Sequence, residues 1–156
     1  MLVLFVVLAA VNAMAVTAAG SGDPVCAKNF TVLHKGPGVS YPVSWRVSRY
    51  MPFFRGESKN GWVRVTDLDG ESHWAQPRDL TTAIHCVVVR SAVATLRREP
   101  SVSAPPSDLK TVDKFTPLKK IEVNGEWVKV EDDTGRTAWI HESNIWKPAK
   151  VQSVKF

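Results

Sequence analysis

One pattern, used twice, constrains this chain more than anything else in it. Residues 61–75 read GWVRVTDLDGESHWA, and residues 125–140 read GEWVKVEDDTGRTAWI. Trp62, Gly70 and Trp74 stand at a constant separation of 65 from Trp127, Gly135 and Trp139. Each copy predicts a β-hairpin. The Val63/Val65 and Val128/Val130 alternation marks a half-buried strand. Asp69-Gly70 and Thr134-Gly135 supply the turn, where glycine takes the positive φ that other residues resist. The second Trp then anchors the returning strand. The repeat predicts two small β units in tandem.

That expectation overrides length. The chain has 156 residues, and a chain of that length is ordinarily one domain. Residues 1–12 are almost wholly apolar, and Ala13-Met14-Ala15 has the small-x-small form of a cleavage site, so a secretory signal peptide is expected. No Lys or Arg precedes the apolar run. An uncleaved anchor is the competing reading, since the uncharged stretch runs from Met1 to Gly22, but its second half is only weakly apolar. The Gly-Asp-Pro-Val before Cys26 does not suit a lipid-modified cysteine. The expected division is a signal peptide and linker over 1–22, a first domain over 23–84, a second over 85–147 and a tail over 148–156. The expected location is periplasmic or secreted, with no stable membrane insertion after cleavage.

Units of about 60 residues lie near the lower limit for a self-sufficient core. Cys26 and Cys86 offer a cross-link. If the first unit is a barrel with adjacent ends, the two thiols meet at its seam, and an oxidising compartment closes them into a disulfide spanning that unit. Two inert thiols are the alternative. A metal or catalytic role is disfavoured, because His85 beside Cys86 points to the opposite face of a strand. The net charge of +5 is spread among acids, as in Lys129 before Glu131-Asp132-Asp133, so no nucleic-acid stripe emerges.

Enzyme signatures are absent: there is no phosphate loop, HExxH, nucleophile elbow or paired-carboxylate motif, and the four histidines are scattered. No enzyme, cofactor or metal is expected. Along the chain, residues 30–33, 44–47, 51–54 and 81–84 read as strands of the first unit, with a single tight helical turn over 77–80. Pro52 implies an edge or a bulge, and the loop from His34 to Pro42 is irregular. The second unit follows the same plan. Thr95 to Pro100 matches Val32 to Pro37, and Phe115-Thr-Pro117 matches Tyr50-Met-Pro52. The expected fold class is all-β, two tandem small β-barrels.

These residues carry a resemblance. The frame of Leu-basic-x-x-Pro, a polar loop, Trp-Val-x-Val, Gly and a final Trp resembles the bacterial SH3-like family, whose repeats occur in tandem in exported proteins. LHKGP at 33–37 and LRREP at 96–100 carry it together with WVRV at 62–65 and WVKV at 127–130. The family's usual Gly-Trp is His73-Trp74 in one copy and Ala138-Trp139 in the other. The resemblance implies a non-catalytic module that recognises cell-wall peptides or an extended segment of an envelope protein. His34, Tyr41, Trp45, Trp74 and Arg97 are the candidate ligand-binding residues. Trp62, Trp74, Trp127 and Trp139 have a competing role in packing. Trp45 is the aromatic that packing explains least, since the second copy has no aromatic at the matching place. A structural spacer or protein–protein interaction unit in an envelope assembly, with no wall affinity, is the alternative function.

Overall fold

The computed structural model describes residues 22–150, so the expected signal peptide and the last six residues of the tail lie outside the described residues. Seven strands form the first sheet: β1 (Asp23–Ala27), β2 (Thr31–His34), β3 (Val43–Val47), β4 (Pro52–Lys59), β5 (Trp62–Thr66), β6 (Ser72–Ala75) and β7 (Leu80–Thr81). Seven more form the second: β8 (Cys86–Val89), β9 (Val93–Arg97), β10 (Pro106–Asp113), β11 (Pro117–Asn124), β12 (Trp127–Glu131), β13 (Thr137–His141) and β14 (Ile145–Trp146). A 3-10 turn precedes the last strand of each, at Pro77–Asp79 and Glu142–Asn144. The orders are β3-β2-β6-β5-β4-β1-β7 and β10-β9-β13-β12-β11-β8-β14, the same topology twice. The chain is two tandem SH3-like domains and nearly all β.

Three details differ from expectation. The sheets do not close into barrels: the ladder runs from β3 to β7 and from β10 to β14, and these end strands do not pair with each other. Cys26 lies inside a strand, β1, which pairs with β4 and β7 ahead of the first expected strand at 30–33. Pro52 is on neither an edge nor a bulge; it opens β4, which runs between β1 and β5. A strand's first residue is a place where a missing N–H is tolerated.

The predicted hairpins form as the turn chemistry dictates. Asn60 (φ 51°) and Gly61 (φ 76°) give the two consecutive positive φ values of a type I′ turn between β4 and β5. Gly70 and Gly135, at φ 84° and 87°, serve the β5–β6 and β12–β13 turns. Asp67 Oδ1 accepts from the backbone N–H groups of Asp69 and Glu71, each at 2.9 Å. Asp132 Oδ1 does the same for Thr134 and Arg136, at 3.0 and 2.9 Å.

Each sheet buries its own valine-rich face. The first core gathers Leu33, Val47, Phe53, Val63, Val65 and Ala75, and the second Leu96, Leu118, Val128, Val130, Ala138 and Ile140. Strand β8 serves both. Val87 and Val89 point into the second core while Val88 packs in the first. A strand buried on both faces reads as a continuous apolar run, and Cys86-Val87-Val88-Val89 is one.

The two units therefore share a seam. The disulfide Cys26–Cys86 crosses it, joining β1 of one sheet to β8 of the other with the Cα atoms 6.1 Å apart. It encloses the first unit in sequence, as expected, but it staples that unit to the next instead of closing a seam of its own. Tyr50 and Phe115, at matching places in the two copies, both adopt positive φ, at 75° and 68°. Bulky residues enter that region only where the surroundings over-determine it. Here each ring crosses the seam. The Tyr50 hydroxyl donates to Glu131 Oε1 at 3.4 Å, and Phe115 meets Trp45 edge-on with ring centroids 5.3 Å apart. Phe54 against Trp146 (5.6 Å) and the Lys114–Asp69 ion pair (3.1 Å) complete the contact.

Candidate functional site

Strand alternation sorts the candidate residues between two faces of the first sheet. In β6, His73 and Ala75 are buried, so Trp74 between them faces outward and is half-buried. His34 is directly opposite Trp74 on β2, and Arg64 is directly opposite it on β5. Arg64 reaches on to Glu57, with Nε 3.4 Å from Oε1. That Nε is buried and makes no hydrogen bond. The outcome is a transverse row: imidazole, indole, guanidinium, carboxylate.

The second sheet repeats the row. Arg97 is opposite Trp139, Trp139 opposite Lys129, and Lys129 opposite Glu122. The Lys129 ammonium lies 5.9 Å from the Trp139 ring centroid and 3.9 Å from Glu122. Thus His34 and Arg97, the two loop-entry residues, hold the same place beside the same tryptophan.

Tyr41 joins the first row from the β2–β3 loop. His34 Nδ1 lies 2.8 Å from the Tyr41 carbonyl oxygen, which only accepts, so that nitrogen carries the proton. The Tyr41 ring folds back over Gly36, where a Cβ would collide with it, and stays 46% exposed. Trp62, itself buried, meets His34 edge-on with centroids 5.2 Å apart. The structure therefore sets His34 beside Trp74 and ties the Tyr41 backbone to His34. Arg97 lies apart, in the second row.

Trp45 is on the opposite face. It stands directly across from buried Leu33 in the β2–β3 ladder, and paired residues share a face. Its ring packs between His73, at 5.7 Å, and Phe115. The missing aromatic in the second copy is thereby accounted for: Trp45 fills the seam, and only one unit is needed to fill it.

Ser44, His73 and Asp67 come closest to a catalytic arrangement. The Asp67 carboxylate only accepts, so His73 Nε2–H donates to Oδ2 at 3.4 Å, leaving Nδ1 to accept from the Ser44 hydroxyl at 2.8 Å. Burial alone would raise the Asp67 carboxyl; hydrogen bonds from His73 and from the Glu71 and Asp69 N–H groups outweigh it and hold it below the ordinary carboxylate value. Asp132 is lowered in the same way, with Thr134 and Arg136 offsetting its burial. Asp132 closes the matching turn with hydrogen bonds from Thr134 and Arg136 instead, and the second copy has Ala138 where the first has His73. Among the described residues no three His, Cys, Asp or Glu side chains gather as a metal site, and no helix is long and apolar enough to cross a membrane.

Sequence reasoning passed over Arg64 and Lys129. The signal was present: a basic residue stands between two valines in both copies, and alternation alone places it outward.

Comparison with known proteins gives one family. The bacterial SH3 domain matches twice, over residues 27–81 and 90–147. Among solved structures, NlpC2 from Trichomonas vaginalis is similar at 13% identity and a TM-score of 0.37, covering 82% of this chain and 49% of that one. NlpC1 from the same organism is similar at 12% identity and a TM-score of 0.38, covering 90% and 51%. The chain spans about half the length of each. No curated protein sequence matches it. Domains of the matching family are typically binding modules, and the disulfide suits an oxidising compartment.

Proposed function

This chain belongs to the bacterial SH3 domain family, and we propose that it is an exported, non-catalytic protein that binds cell-wall peptides through the outward row of its first unit. The observation that carries this reading is the half-buried Trp74 between His34 and Arg64, with the exposed Tyr41 in the loop that bonds to His34. An indole between an acceptor and a donor suits an extended peptide: the ring takes its apolar atoms, the guanidinium takes a carbonyl or carboxylate oxygen, and the His34 Nε2, whose partner nitrogen holds the proton, takes a backbone N–H. Both units carry the row, but only the first adds an exposed aromatic from its loop. The two units are therefore unequal in affinity, with the first dominant.

A spacer role in an envelope assembly, with no wall affinity, is favoured by a different observation: the disulfide and the crossed aromatics fix the two units to one another. Co-sedimentation of the purified protein with insoluble peptidoglycan separates the readings. Retention is expected, and Trp74→Ala should weaken it at least tenfold, as loss of a central aromatic anchor does. No retention of either protein would leave the spacer reading.

A further inference from the structure

A second feature lies away from the rows. Beneath the disulfide, β1, the residues joining β7 to β8, β11 and the segment after β14 enclose a cavity of about 360 Å³. Its walls are largely apolar, formed by Pro24, Val25, Ile84 and the disulfide itself. Its charged lining is basic. Lys120, Lys147 and Lys150 surround it against a single acid, Asp23, and that acid is engaged by Lys150 at 2.8 Å. Among the described residues, Lys120 and Lys147 have no carboxylate partner. Two ammonium groups over an apolar floor make a cavity complementary to an anion that carries an apolar body.

We infer that this seam cavity binds a small carboxylate-bearing molecule, of the size of a dipeptide with a free C-terminus, whose apolar side chains lie on Pro24 and Ile84 while Lys120 and Lys147 take the carboxylate. The volume lies at the small end of ligand pockets, which excludes a long peptide laid through it. Charge-assisted hydrogen bonds to the two ammonium groups give the lysines their selectivity for charge. The site needs both units, since β1 belongs to one sheet and β8 and β11 to the other. It is independent of the outward row, and its occupation does not require that wall peptides bind there.

Calorimetric titration of the full chain with N-acetyl-Val-Ala tests it, with the C-terminal amide of the same dipeptide and inorganic phosphate as controls. The acid should bind, with backbone amide shifts in Val25 and Ile84, and the amide and phosphate should bind at least tenfold more weakly. Lys120→Met and Lys147→Met should each weaken the acid about tenfold, the cost of one charge-assisted hydrogen bond. Both replace surface cations, and Trp74→Ala should leave this affinity unchanged, which separates the cavity from the outward row. Equal binding of acid and amide would overturn the charge assignment, and phosphate binding as tightly as the acid would remove the role of the apolar walls. Absence of binding, or self-association that the dipeptide displaces, would overturn the site itself.

Discussion

Asp67 shows how one residue can serve fold and pH response together. Its carboxylate closes a hairpin turn, accepts from buried His73, and is held below its ordinary value. A carboxylate depressed in the folded state contributes stability that is fully present above its unfolded value, roughly 3.9, and is lost as pH falls through the folded one. Thermal midpoints of the wild type should therefore fall as the solution is taken below about pH 4. Asp67→Asn should be less stable by about 1–2 kcal/mol at neutral pH, and the gap should narrow in acid. Parallel profiles would show that the Asp67 charge is not what the turn depends on. Trp45 is the residue-scale lesson in the other direction. Its type and isolation in the sequence suggested a ligand, but the register that sets it opposite Leu33 sends it to the seam.

Among elements, the hairpins were legible because their signals are local. Trp-Val-x-Val alternation, Asn60-Gly61 and the Asp–Gly turns decide backbone geometry within a few residues. The doubled topology followed from the doubled motif. Strands β1 and β8 were not found, and for a physical reason: neither alternates. β8 is apolar at every position because it faces two cores, and a run of that kind looks like a linker to any test based on one buried face. The outward row was half legible. His34, Trp74 and Arg97 stood out by type, whereas Arg64 and Lys129 looked like ordinary strand-surface charges until the ladder set them beside a tryptophan.

The molecule as a whole is more than two beads on a string. Cys26–Cys86, Val88 in the first core, and the crossing rings of Tyr50 and Phe115 make each unit part of the other's packing. The protein should unfold in a single calorimetric transition, and two resolved transitions would contradict a shared seam. The Cys26→Ser/Cys86→Ser double variant should lose up to about 4 kcal/mol, the loop-closure value for a bridge across some 60 residues, and still unfold as one unit. The central claim is that binding lies on the outward row and packing lies at the seam. The most direct test is the affinity of a soluble wall peptide for Trp74→Ala and Trp45→Ala, measured beside their thermal midpoints. The account predicts that Trp74→Ala loses affinity at least tenfold with little loss of stability, and that Trp45→Ala loses stability by about 3 kcal/mol while the folded fraction binds as before. Lost affinity in Trp45→Ala with Trp74→Ala unaffected would place the binding surface at the seam and contradict the account.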